Sequence, residues 1–344
     1  MNSKQIDLVN IGLILVSLWI AIKLPFELFL FSYAVLGPLH YLTEINWLKE
    51  KKYFVKPSAR WTTIFFILAG LLSLYPIVKL LNVGIDVTKE STIGFISTKS
   101  KMLLLTGFLF AISLIFFKKA IHILISLVLS FLIATSMYLF VPSSVYIFGL
   151  FLPTIFHVYL FTLLFMIYGT SKSRSRFGVY AAILLLLVPF GIYFLNLNET
   201  AYSVSTQTAG IVEQSNMLEV NYMIAKIFGG VVEEGKFYHL SVLGIKIQIF
   251  IAFAYTYHYL NWFSKTTVIG WKKALTMKKS ILIGFIWVAA VGIYYYDYAT
   301  GLIALFFLSF LHVFLEFPLN IITIKGLFDL RKSTKVTKVR KVKV

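Results

Sequence analysis

The chain has 344 residues, 59% of them hydrophobic and 13% charged, with a mean hydropathy of +0.85 and a formal net charge of +18. Soluble domains are about 45–50% apolar and about 25% charged, so a water-soluble globule is excluded. The absence of cysteine excludes disulfides, thiolate metal sites and a cysteine nucleophile. The positive charge sits in short segments beside apolar runs, where membrane orientation accounts for it, and nucleic acid is not an expected partner.

In lipid every backbone polar group needs a partner within the protein, which leaves helices or closed barrels. Apolar runs of about 17–25 residues suit a helix crossing ~30 Å of hydrocarbon and not a barrel strand of about ten. The fold class expected is therefore all-α, a polytopic transmembrane helix bundle of about ten spans. In chain order these are 8–23, 26–47, 61–82, 101–117, 120–141, 145–169, 177–195, 240–262, 280–296 and 301–323. The first resembles a signal peptide in length, but no small-x-small cleavage site follows it, and a second apolar run begins after Pro25. It is read as a retained helix. Pro25 marks a tight turn, Pro142 a loop and Pro153 a kink within a helix.

Residues 1–324 form the membrane domain, with one long external loop at 196–239. Its apolar stretch from Met217 to Val232 is expected to lie on the outer interface or over a cavity mouth. Residues 325–344 form a basic tail that alternates Lys and Arg with Val and Thr. It reads as a topology anchor, or as a disordered arm drawn to anionic lipid.

With the N-terminus placed in the cytoplasm, about three quarters of the 32 lysines and arginines fall on that side. They include Lys4, Lys49, Lys52, Lys56, Arg60, Lys118, Lys172, Lys265, Lys279 and the tail. The acidic residues Asp86, Glu90, Glu199, Glu219 and Asp297 fall outside. This bias predicts an even number of spans with both termini inside, in the cytoplasmic (inner) membrane of a bacterium.

Ionisable side chains within spans cost about 3 kcal/mol or more each, so they face the bundle interior and mark function. Here they form a set: His40 and Glu44 in span 2, His157 in span 6, His258 and Asn261 in span 8, and His312, Glu316 and Asn320 in span 10. All four spans run in the same direction. His40/Glu44 and His312/Glu316 are i, i+4 pairs, which share a helix face. Imidazole is the commonest transition-metal ligand, and inward-projecting imidazoles and carboxylates are how bundles build metal sites. His40, His157, His258 and His312 are the candidate ligands. Glu44, Glu316, Asn261 and Asn320 are candidate hydrogen-bond partners for the second ring nitrogens, and the two carboxylates are also candidate proton carriers. At 1.5 Å per residue His40 and His258 lie about 10–13 Å from the cytoplasmic lysines, and His157 and His312 about 20–22 Å, a mismatch of roughly 10 Å for a single ion.

His122 is read as interfacial and His239 as a loop residue. Trp47, Trp61, Trp262 and Trp271, with the run Tyr294–Tyr298, are read as membrane-interface belts. The chain holds no HxxxH or HxxHH box, no HExxH, no Walker loop and no GxSxG.

A helical membrane chain of bacterial character, without cysteine and with histidines gathered inside the bundle, resembles the Brp/Blh family of membrane-embedded carotenoid-cleaving oxygenases. The resemblance is architectural, rests on no local motif and transfers no residue assignment. It implies non-haem iron held by histidines, and a carotenoid or other isoprenoid substrate. The function expected is a metal-dependent oxidoreductase whose lipophilic substrate enters from the bilayer lipids. The alternatives are a proton-coupled transporter using the His/Glu groups, a haem protein with paired axial histidines, or a structural subunit.

Overall fold

The structure is a computed structural model that describes residues 2–51, 61–214, 218–230, 232–233, 236–237, 239–265 and 270–342. The expected cytoplasmic charges Lys52, Lys56 and Arg60, and Met217 in the external loop, lie outside the described residues. Apart from a two-residue antiparallel ladder pairing Val232 with Phe237 and Glu233 with Lys236, the regular structure among the described residues is helical.

The chain begins with α1 (Ser3–Lys23), capped by the Asn2 side chain on the Gln5 N–H with the Gln5 side chain returning to Asn2. Pro25 then opens α2 (Pro25–Phe31), where its missing N–H costs nothing. A π-helical segment, π1 (Ser32–Leu36), leads into α3 (Gly37–Lys51). Next come α4 (Thr62–Leu81), then α5 (Thr92–Thr98) and α6 (Ser100–Phe116), a pair bent by 62°. α7 (Ala120–Phe140) packs on α6 through small residues, with Ser126, Ser130 and Ala134 on its buried face and Ser126 Oγ 2.8 Å from Ser113 Oγ. α8 (Pro142–Phe151), a ten-residue π segment, π2 (Leu152–Phe161), and α9 (Thr162–Ser173) follow without a break. Arg174 turns the chain in the left-handed region, at φ 53°. The Ser175 hydroxyl then caps α10 (Arg176–Phe194).

Between α10 and the next long helix lie α11 (Thr206–Gln214) and α12 (Glu219–Ile227). α12 packs on α13 (Val242–Ser264): Asn221 donates to Gln248 Oε1 at 2.8 Å, and Gln248 donates to the Pro25 carbonyl. The chain ends with α14 (Met277–Tyr296) and α15 (Tyr298–Val342).

Eight helical stretches among the described residues are long and apolar enough to cross a membrane, and the bent α5/α6 pair makes a ninth. α13 is not among them. It occupies the eighth expected span, but 16 of its 23 residues are buried by protein, so it can carry Gln248, Thr256, His258 and Asn261 without exposing them to lipid. α14 is the opposite case: Phe285 and Ile281 are exposed, as a lipid-facing helix requires.

Two large apolar cores and a small third one, of Met102, Leu105, Ala134 and Val145, fill the interior among the described residues. Of the two large cores, one gathers Ile14, Phe26, Leu185, Phe253 and Tyr257 around α13; the other gathers Phe65, Phe108, Phe110 and Phe314 around α15. α3 and π2 border both.

Three expectations change. The basic tail is helical as far as Val342, not an arm without regular structure. No glycine or proline follows Gly326, so the turns propagate from an existing helix and need no new nucleus. Of the tyrosine run, Tyr295 and Tyr296 are exposed as a belt would be, whereas Tyr294 and Tyr298 are buried, and the Tyr298 hydroxyl donates to the Leu30 carbonyl. Trp47 and Trp262 are 4% and 8% exposed and pack edge to face, so neither is a belt residue.

Candidate metal centre

His40 stands near the start of α3, just beyond π1. His157 lies inside π2, His258 on α13 and His312 on α15. A π segment advances the chain differently from an α-helix and re-aims the side chains that follow, and such segments recur at functional sites. This removes the depth mismatch expected from straight helices, because the four rings meet. Their centroids are 4.7 Å apart for His40 and His258, 4.9 Å for His157 and His258, 5.1 Å for His157 and His312, and 5.5 Å for His40 and His312. All four are buried.

Ring nitrogens face one another. His40 Nε2 is 3.1 Å from His258 Nε2, and His157 Nε2 is 3.2 Å from His312 Nε2. Two nitrogens each about 2.1 Å from one ion would stand about 3.0–3.4 Å apart at octahedral or tetrahedral angles. His40, His157 and His312 each offer a ligand nitrogen within 4.8 Å of the other two, enough for these three to hold a metal ion.

One tautomer is fixed by its surroundings. The Thr162 hydroxyl donates to the Val158 carbonyl at 2.9 Å, so its oxygen is free to accept from His258 Nδ1–H at 2.8 Å. That leaves the lone pair of His258 Nε2 turned toward the other rings. The Nδ1 of His40 is buried and hydrogen-bonds to nothing, that of His157 meets only Glu316 Oε2, at 3.4 Å, and the His312 ring has the Leu308 and Ser309 backbone beside it. An orphaned polar atom such as His40 Nδ1 needs an explanation, and a bound ion or water supplies one.

Glu44 Oε2 lies 3.1 Å from His40 Nε2, so that i, i+4 pair is in contact. The other pair is not built as expected. Glu316 turns to His157, with Oε2 at 3.4 Å from Nδ1, and His312 instead stacks on Tyr41 at 4.1 Å. The Tyr41 hydroxyl in turn meets the Tyr259 hydroxyl at 3.0 Å. The carboxyl groups of Glu44 and Glu316 are within hydrogen-bonding reach of each other. Asn261 and Asn320 are buried but hold no imidazole: Asn261 Oδ1 and both amide atoms of Asn320 make no hydrogen bond. Thr162 takes the place expected of Asn261, and the sequence carries no signal for it beyond its position five residues after His157. Trp262 donates to Thr43 Oγ1 at 3.0 Å and stands edge-on to His40, which makes it a wall of the site.

A cavity of about 420 Å³ reaches this cluster, and His40, Glu44, His258 and Glu316 line its inner part. Ser3, Ser173 and Lys265, at the ends of α1, α9 and α13, also line it. Access is thus from the helix ends on the lysine-rich side. His122 is exposed near the start of α7, and His239 packs edge-on against Phe26, remote in the chain from the four.

A haem between His157 and His312 does not fit, because two axial nitrogens straddle the iron at about 4 Å, whereas these Nε2 atoms are 3.2 Å apart in mutual contact. Set against protein-family models, curated proteins and solved structures, the chain matches none.

Proposed function

We propose that this chain is a membrane-embedded, metal-dependent oxidoreductase acting on a lipophilic substrate, with non-haem iron held by His40, His157, His258 and His312. The observation that carries the reading is the meeting of four buried imidazoles from α3, π2, α13 and α15, with Nε2 atoms facing one another at 3.1 and 3.2 Å. Iron would supply the one-electron and oxygen chemistry that imidazole and carboxylate groups lack. The chain's own part is to hold and orient. Thr162 keeps His258 in the tautomer that offers Nε2, and Glu316 Oε2 stands 3.4 Å from His157 Nδ1, where a carboxylate orients a ligand ring. Tyr41 fixes the plane of His312 by stacking. The apolar walls from Trp47, Trp262, Phe165 and Met166 suit a lipophilic substrate. A carotenoid or other isoprenoid, as the Brp/Blh likeness implies, is the substrate class proposed. Ten spans with both termini in the bacterial cytoplasm complete the reading, supported by the distribution of lysine and arginine.

A second reading, proton-coupled transport, is favoured by one feature: a cavity that joins the lysine-rich side to two buried carboxyls. Metal analysis with an optical spectrum on purified protein separates the two. The oxidoreductase reading expects near-stoichiometric iron, no Soret band, and loss of the metal in His258→Ala and His312→Ala. Protein that is folded, metal-free and unable to take up iron overturns it in favour of transport.

A further inference from the structure

Beside the histidine cluster stand oxygen-bearing side chains with more donor atoms than the orientation of two imidazoles uses. Glu44 and Glu316 are 2% and 3% exposed and lie in reach of each other, and besides that contact the Oε2 of Glu44 meets a ring nitrogen of His40 at 3.1 Å and that of Glu316 a ring nitrogen of His157 at 3.4 Å. Two carboxylates in contact repel unless something positive stands between them. Among the described residues no lysine or arginine lies within ion-pair distance of either. A separate group completes the set. Asn261, 7% exposed and on a third helix, lines the same cavity as both carboxyls and has an Oδ1 without a partner. An amide oxygen left bare in a protein interior is costly, as it is for a carboxylate.

We propose that Glu44, Glu316 and Asn261 form a second cation subsite on the cavity side of the histidine cluster, so that the protein holds two metal ions per chain. This rests on the reading that the four histidines bind a metal. The donors are two carboxylates and a carboxamide, with cavity water for the remaining positions. Such an all-oxygen set suits a hard divalent ion such as manganese(II) or iron(II), which tolerates open, water-filled positions. Glu316 joins the two sites: its Oε2 stands 3.4 Å from His157 Nδ1 while the carboxylate faces the second ion. The cavity supplies the entry path, since it connects these oxygens to the ends of α1, α9 and α13.

The test is a manganese(II) count on purified full-length protein, by elemental analysis and electron paramagnetic resonance. Wild-type protein should bind two ions per chain, with spectral broadening from two nearby spins. Glu44→Gln should bind one, without that broadening, and Asn261→Ala should weaken the second ion at least tenfold while leaving the first. A wild-type count of one, unchanged in Glu44→Gln, overturns the second subsite alone and assigns the carboxyl pair a shared proton. A wild-type count of zero for both manganese and iron overturns this proposal and the histidine reading together. The wild-type count decides even if a variant fails to fold.

Discussion

Thr162 controls His258 through a single hydrogen bond, so its loss is a test at the level of one atom. Thr162→Val keeps the shape and removes the acceptor. The ring is then free to place its proton on Nε2, and metal affinity should fall about 10–100-fold, as losses of such supporting contacts do. Thr162→Ser should retain most of it; competition with a chelator measures both. Lys265, just beyond α13, offers a pH test. Burial holds its ammonium down to about 8, against the upward pull of Asp7. Between about pH 8 and the free lysine value near 10.4 the unfolded chain therefore binds more protons than the folded one. Stability should rise with pH across that window, and Lys265→Met should flatten the slope in melting curves recorded from pH 7 to 10. At this scale the sequence showed the four histidines plainly, because ionisable groups in apolar runs are conspicuous. It hid Thr162, since a threonine in a span has many ordinary uses, and it misplaced Trp47 and Trp262, since a tryptophan near a span end suits either a belt or a cavity wall.

The two π segments are where chain geometry departs from what spacing alone can describe. Depths reckoned at a constant rise put His157 and His258 roughly 10 Å apart, yet their rings are 4.9 Å apart. Pro153 was legible as an interruption, but proline does not announce that the next turns will be π rather than kinked α. Deleting Ile155 should let π2 relax toward 3.6 residues per turn and rotate His157 away from its neighbours. Metal binding should then be lost with helical circular dichroism nearly unchanged. Helix packing gives a second test. A Cβ on Gly107 of α6 would collide with the Phe314 ring on α15, two residues beyond His312. Gly107→Ala should destabilise the bundle by about 1–3 kcal/mol, the usual cost of overpacking, visible as a lower melting temperature in detergent.

For the molecule as a whole, the lack of cysteine makes its topology directly measurable. Single-cysteine variants at Ser173 and Lys278 should react with an impermeant thiol reagent from one side of a sealed vesicle, and Thr200→Cys from the other. Labelling of all three from one side would refute the even, both-termini-inside arrangement. The helical class and the eight or nine helices long and apolar enough to span were legible because hydropathy and length decide them. What hydropathy does not register is which stretch is surrounded by the others, and α13 is that stretch.

The enclosure of α13 bears on how the protein is made. Gln248, Thr256, His258 and Asn261 would each be penalised if the segment partitioned into bilayer by itself during synthesis. Their surroundings are supplied by helices that emerge from the ribosome earlier: Ser32 for Thr256, His40 and Thr162 for His258, and the Pro25 carbonyl for Gln248. The segment should therefore insert only into a nascent bundle that already contains the seven apolar stretches that end with α10, and a fragment beginning after α10 should leave it stranded in water.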